Sequence, residues 1–461
     1  MNLIMMHYLV FMSVICFTVA LESPNITIII LSQNSQFNVN YALTLKEAIQ
    51  LESSVLSVKE PKVYFTTKEF NISGDWTFFP LISPIVNIAE SCEWVVFVED
   101  RCTVSLKLLI NTLQNYDAQK EIWIGNALHD TEASIIHHFG FYKNPEFFKY
   151  PNIGSGIVFS MPLLKRLESQ LENAKYKMPD FHIDSAYELA LFVYNDGKGP
   201  MIVNDNAFCS KEGPNCATYP RAIPNCGKTH VSSIFFAVKT CQKFHVDRIK
   251  AVKKTWGQFA SKIMYFSDVE DASVPTVSLG VKNTDHGHCE KTMSILKFVE
   301  DMLQESQFTW LVLVDDDTVL SVSRIASLTR CYDTTEPIML GERYRFGGPG
   351  SEGFDYATGG AGILINQAAL QLLADSCKCS RPDSPDDMIL GACAEKLGIT
   401  IIHIPQMHQA RPPDYAEGRL ATMDAITFHK HWMIDPVQVY REWFEADDKK
   451  LVEEVLAKVE L

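Results

Sequence analysis

Basic residues are in short supply in this chain of 461 residues: 41 Lys and Arg stand against 56 Asp and Glu, a formal net charge of −15. That balance argues against a nucleic-acid-binding surface, which needs a positive field. Long runs of like charge and low-complexity tracts are missing, so nothing in the composition marks a disordered arm. The cysteines lack the spacing of a zinc ribbon. Cys92/Cys102, Cys209/Cys216/Cys226 and Cys377/Cys379 read instead as disulfide partners of undetermined connectivity. No Lys or Arg precedes the apolar stretch from Leu3 to Ala20. The stretch still reads as a secretory signal, residues 1–20, with a type II membrane anchor as the alternative.

What is present is a globular composition, 47% hydrophobic and 21% charged. The length suffices for about two to four domains. Two sequons, Asn25-Ile26-Thr27 and Asn71-Ile72-Ser73, are expected N-glycosylation acceptors of the secretory pathway. The last four residues, Lys458-Val459-Glu460-Leu461, differ from KDEL at one position. A soluble resident of the ER lumen, met by the ER retrieval receptor, is therefore expected. Of the 12 cysteines, loss of Cys16 with the signal leaves an odd number, so at least one thiol is free or pairs with another chain.

The chain repeats itself. "WVVFVEDRCTVS" from Trp94 parallels "WLVLVDDDTVLS" from Trp310, 216 residues on, and "IWIG" ending at Gly125 parallels "IMLG" ending at Gly341 at the same spacing. "YPNIGSGIVFS" from Tyr150 matches "YATGGAGILIN" from Tyr356, and "IIILSQNSQF" ending at Phe37 resembles "IFFAVKTCQKF" ending at Phe244. Four matches in one order imply two homologous α/β modules, residues 24–205 and 230–445. Between them lies a Cys/Pro-rich linker, 206–229, and a C-terminal tail, 446–461, follows. Apolar β-rich runs alternate with helical patterns in each, so a mostly parallel, Rossmann-like sheet covered by helices is expected.

The run "WLVLV" ends in Asp315, Asp316 and Asp317. Ligands of such sheets sit at the carboxyl ends of strands, and adjacent carboxylates call for a cation, so a divalent metal is the first candidate. A solvated acidic turn is the bland alternative. The first module has Glu99, Asp100 and Arg101 at the matching places, and an arginine there would repel a metal. Gly359 and Gly360 in "YATGGAGILI" let backbone approach a sugar or nucleotide, or merely permit tight packing. In "SRPDSPDDMILG" one of Asp386 and Asp387 caps the following helix and the other is free to act as a general base. Asp386 is better placed to cap, which leaves Asp387 as the base. "ITFHKHWMIDP" places His429 and His431 two apart, on one face if the segment is a strand. His408, His286 and His288 are lesser candidates.

Together "FFAVKTCQKFHVDRIKAVKKTW", "VDDD", "YATGGAGILI" and "SPDDMILG", spanning Ile234 to Pro436, resemble the Fringe-like branch of the beta-1,3-glycosyltransferases, family 31. The doubled module, "FHKHW" and the KDEL-like end are similar to the members of that family that work in the ER, moving glucose from UDP-glucose to O-linked fucose on thrombospondin type 1 repeats. The resemblance implies two tandem GT-A modules, the first degenerate, and an inverting single displacement that uses Mn2+, with Mg2+ as the alternative. It implies Asp387 as base, Asp317, Asp315 and His429 as metal ligands with His431 or His408 as substitutes, and Asp315, Asp316, Gly359, Gly360 and one of Lys239 and Lys291 at the donor. Three other readings compete: a relative using UDP-GlcNAc or UDP-galactose, a glycan-binding folding factor without turnover, and a metal-dependent hydrolase.

Overall fold

The β-rich runs quoted above become strands of two mixed sheets in the computed structural model, which describes residues 23–132, 138–173, 179–304, 307–348, 353–421 and 424–451. The expected signal and the KDEL-like end lie outside the described residues. The first sheet is built from β1 (Ile26–Leu31), β2 (Lys62–Phe65), β3 (Trp94–Glu99), β4 (Trp123–Gly125), β5 (Ile157–Ser160) and, after the short β6 (Phe181–His182), β7 (Val203–Asn204). Its order is β7-β4-β5-β3-β1-β2.

The second sheet takes β8 (Ile234–Lys239), β9 (Lys262–Ser267), β10 (Thr276–Ser278), β11 (Trp310–Asp315), β13 (Ile338–Gly341), β16 (Ile363–Asn366) and β17 (Thr400–His403), in the order β10-β9-β8-β11-β16-β13-β17. Between these run β12 (Thr318–Leu320), β14 (Arg343–Phe346) and β15 (Phe354–Ala357), and β18 (Thr427–His429) follows. The strand order β2-β1-β3-β5-β4-β7 and the order β9-β8-β11-β16-β13-β17 share every parallel and antiparallel sense. Neither sheet is as parallel as the alternation of patterns suggests, because β5 and β16 run antiparallel to both neighbours.

Burial explains the apolar strands. All six residues of β8 and the first five of β11 are buried, as expected of central strands covered on both faces. Alternate residues serve opposite cores: Phe236, Val238, Val312 and Val314 on one face, Phe235, Ala237, Leu311 and Leu313 on the other. The helices that matter below are α1 (Gln36–Leu56), α2 (Arg248–Lys254), α3 (Cys289–Asp301), α4 (Val322–Thr329) and α5 (Asp386–Leu397), the last stopped by Gly398 at φ +68°.

The two sheets are joined by more than covalent chain. β14 pairs antiparallel with β15 on one side and with β6 on the other. The Gln33 side chain bonds both polar groups of the His403 peptide, at 2.7 and 3.2 Å. Disulfides link Cys209–Cys216, Cys226–Cys331, Cys289–Cys379 and Cys377–Cys393, while Cys92, Cys102 and Cys241 are free and buried. Of the sequon asparagines, Asn71 is exposed and Asn25 donates to the Ser91 carbonyl. The fold also continues beyond 445. Asp448 is fully buried and accepts from Ser321, Ser323 and Tyr440, so it closes the start of α4 rather than belonging to a tail. Among the described residues no helix is long and apolar enough to cross a membrane.

Candidate active site

β11 delivers its carboxylates to the carboxyl edge of the second sheet. The chain turns through Asp316 and Asp317 into β12, which pairs antiparallel with β18 so that Thr318 faces His429. That register brings His429, over a hundred residues away, beside Asp317. Its Nε2 lies 3.1 Å from Asp317 Oδ1 and 3.8 Å from Asp315 Oδ2. Its Nδ1 lies 3.1 Å from the Gln409 carbonyl, so Nδ1 carries the proton and Nε2 is left to face the carboxylates. The ligand atoms of Asp315, Asp317 and His429 all fall within 4.8 Å of one another. Two carboxylates and one imidazole suit a divalent cation of intermediate hardness that keeps positions open for phosphate oxygens and water.

Charges around the triad are mutually compensated. Burial opposes ionisation of Asp317, yet His429 and Arg248 hold its carboxyl below the usual range. Burial also opposes the imidazolium of His429, but the Asp317 hydrogen bond and charge raise it above the ordinary value. Arg248 Nη1 on α2 reaches Asp316 at 2.8 Å and Asp317 at 3.0 Å. Asp316 spends both oxygens inside the protein, on Arg248 and on the Thr240 hydroxyl, and is 4% exposed. It braces the turn, against the expectation that it binds the donor.

Lys239 stands opposite Asp315 in the β8–β11 register. Its Nζ is 3.0 Å from Asp315 Oδ1 and 2.5 Å from Asp386 Oδ2. Burial disfavours its charge, and the two carboxylates outweigh that and raise its pKa. Lys291 is turned to the Thr240 carbonyl and Asn283, and burial lowers its pKa. Asp386 does not cap α5 as expected. It is held by Lys239 and the Thr292 hydroxyl, and the lysine overcomes burial to bring its carboxyl down to about 2. Asp387 instead accepts from the Met388 and Gly359 amides, and burial, reinforced by Asp386, pushes it up to about 6.

The glycines are now explained by close approach. A Cβ on Gly360 would sit 2.2 Å from the His429 ring, whereas one on Gly359 would meet Lys239 and Asp387 at 3.8 and 3.9 Å. Of the two expected substitutes for His429, one lies in the core and the other, His431, stands within electrostatic reach of Asp317 but outside the triad. His408 is fully buried against Phe428 with both ring nitrogens unbonded, inside the core rather than the cleft. His431 does not share the face of His429, because β18 ends there and Lys430 turns the chain at φ +75°. Burial lowers His431 to about 4. His288 bonds Thr284 and stays outside the triad.

A family model described as Fringe-like matches residues 59–185 and 229–454. The chain belongs to the Fringe-like family. It is 41% identical to a beta-1,3-glucosyltransferase of Mus musculus, over 93% of this chain and 88% of the relative. The Homo sapiens beta-1,3-glucosyltransferase is 42% identical over 93% of this chain and 86% of its own. A beta-1,3-N-acetylglucosaminyltransferase manic fringe of Danio rerio is 29% identical over 39% of this chain and 56% of its own.

In this Fringe-like chain three supporting residues escaped the sequence reading. Arg248 and Thr240 lie in the basic segment after β8, where "HVDRIKAVKK" gave a helix and no hint of which cation turns to the aspartates. Glu342 is 5% exposed and accepts from the Gln409 amide, whose own carbonyl orients His429. Its carboxyl is pushed up to about 7 by burial. No local motif marks it.

Proposed function

We propose that the protein is an inverting beta-1,3-glucosyltransferase of the ER lumen that moves glucose from UDP-glucose to the 3-hydroxyl of O-linked fucose on thrombospondin type 1 repeats. The observation that carries the reading is the convergence of Asp315, Asp317, His429 and Asp387 on the Gly359–Gly360 turn. The identity of 41 and 42% to beta-1,3-glucosyltransferases over 93% of the chain supports glucose as the sugar. The four disulfides are in keeping with an oxidising lumen.

Asp315, Asp317 and His429 would hold Mn2+, or Mg2+, which when bound neutralises charge developing on the diphosphate. Asp387 takes the proton from the acceptor hydroxyl as that oxygen bonds to C1 of glucose and the C1–oxygen bond to UDP breaks. A carboxyl near 6 is ionised at neutral pH and still basic enough for that task. Lys239 pairs with Asp315 and Asp386 and holds the Asp386 carboxyl ionised against burial. Gly359 and Gly360 leave the floor bare for the sugar, and holding both substrates in one geometry supplies much of the acceleration. The first sheet, with Arg101 where the second has Asp317, is in our reading a degenerate GT-A module retained beside the catalytic one.

UDP release by the purified chain in Mn2+ tests this, with each common UDP-sugar and a thrombospondin repeat carrying or lacking O-fucose. Release confined to UDP-glucose with the fucosylated repeat is expected. Release with UDP-GlcNAc or UDP-galactose would move the enzyme elsewhere in the family, acceptor-independent sugar release would make it a hydrolase, and no release with any pair would refute turnover.

A further inference from the structure

A second cleft opens where the carboxyl edge of the first sheet meets the β13–β14 junction and the His403 loop. Its position on the first sheet corresponds to that of the active site on the second: β1 and β3 end in it, as β8 and β11 end at the metal triad. Clefts at this edge of an open α/β sheet are where such folds take ligands. Glu99 and Arg101, at the places of Asp315 and Asp317, both line it.

Most charged groups in the cleft are answered by protein. Asp100 accepts from Asn38 at 2.9 Å, and Asp184 is paired with Arg419 at 2.8 Å. Three are not. Among the described residues no hydrogen bond or ion pair within 4 Å meets the Glu99 carboxylate or the Arg101 guanidinium. Nε of Arg343 is buried without a hydrogen-bond partner and has only Asp355, at 3.9 Å, as an ion-pair neighbour. Of the three, Nε of Arg343 is the buried unsatisfied atom, while Glu99 and Arg101 are half-buried and open to the cleft. A buried polar group without a partner calls for an explanation, and a water or ligand in the cleft supplies one.

The chemistry of that partner follows from the mixture. One carboxylate and two guanidinium groups share this space, meeting one another through charge at a distance rather than by hydrogen bonds, so the ligand offers donors and acceptors together. Inorganic phosphate offers acceptors only, and the negative charge of a phosphate or of a nucleotide's diphosphate would be desolvated beside the carboxylates of Glu99, Asp75 and Asp184. Trp76, fixed by its N–H to Asp355 and with the Arg343 guanidinium 4.9 Å from its ring centroid, lines the cleft with its remaining ring surface, suited to the CH face of a pyranose. We propose that this cleft is a second binding site, selective for a neutral saccharide, that grips glycan without transferring sugar. Only the choice of probe rests on the glucosyl-transfer reading.

Saturation-transfer NMR on the full chain, with beta-D-glucosyl-(1→3)-L-fucose as probe, tests the site separately from the active one. The Asp317→Ala chain in chelator, whose metal site is disabled, is expected to retain saccharide contact. Adding Glu99→Ala and Arg101→Ala is expected to weaken that contact at least tenfold, with no change in melting temperature. Glu99→Gln, which keeps the size and removes the charge, is expected to weaken it in the same direction should the double variant fold poorly. In the otherwise native chain, Glu99→Ala/Arg101→Ala should leave UDP release with a small fucoside acceptor unchanged. Contact that is absent from Asp317→Ala, indifferent to the Glu99 and Arg101 variants, or displaced by UDP in the Asp317→Ala chain would each overturn the proposal. Retained contact in a chain that releases no UDP with any donor would uphold this site while removing the transferase reading.

Discussion

Gly360→Ala is a one-carbon perturbation whose effect can be worked out from the geometry. The added Cβ falls 2.2, 2.3 and 2.6 Å from Nδ1, Cε1 and Cγ of His429, and real Cβ atoms essentially never come within 3.0 Å of another heavy atom. The glycine cannot yield easily, since its carbonyl accepts from the Thr318 hydroxyl at 2.9 Å. The ring must therefore retreat by about 1 Å to restore van der Waals contact. A retreat of that size separates Nε2, now 3.1 Å from Asp317, from the rest of the triad. Overpacking of this kind costs about 1–3 kcal/mol of stability. Displacing an oriented ligand weakens metal affinity by about 10- to 100-fold, or about 1.4–2.7 kcal/mol. The assay is Mn2+ titration of UDP release, with Gly359→Ala as control, because its Cβ meets nothing closer than 3.8 Å. A half-saturating Mn2+ concentration for Gly360→Ala equal to that of the native chain, in a folded protein, would refute the reasoning.

Further outcomes are expected. Because the Asp387 carboxyl sits near 6 and the base must be ionised, UDP release should fall as pH drops through about 6. Asp387→Asn should lower turnover by about 10²- to 10⁴-fold with nucleotide binding intact, and a pH-independent native rate between 5 and 7 (about the window set by that carboxyl) would exclude Asp387 as the base. Lys239→Met leaves Asp315 and Asp386 without their cation and should cost about 3–5 kcal/mol, read as a lowered urea midpoint. An unchanged midpoint would mean that the pair does not depend on the lysine. Cys331→Ser opens a bridge spanning 105 residues and should cost about 2–5 kcal/mol. If the native chain and this variant unfold at the same urea concentration, the bridge carries no stability.

The site was legible wherever one strand or turn carried its own chemistry. Asp315 and Asp317 follow an unbroken apolar run, Gly359 and Gly360 precede another, and Asp387 begins a helix, so periodicity alone places them at the sheet edge. What the sequence hid depends on register between distant segments. Asp386 looked like a cap because caps are local, yet Lys239 claims it from 147 residues away. His431 looked equivalent to His429 because strand alternation was assumed to continue, and the positive φ of Lys430 stops it. Glu342 acts through a backbone amide of another loop, and such links leave no trace in spacing. The antiparallel β5 and β16 were illegible for a related reason: a buried strand reads alike in either direction.

The pairing of β6 with β14 bears on how the chain can be divided. The linker at 206–229 invites a cut, by a protease or at the bench, to obtain the second sheet alone. Such a fragment would keep every residue of the metal triad but lose the strand covering Arg345 and Phe346, and the Phe181 ring that lies 5.2 Å from Phe346. Its open edge is a template for pairing with another copy, so the isolated half should self-associate. A nick within the linker should have the opposite fate. The two pieces, laced together by β6, Gln33 and Arg419, would stay one particle until denatured.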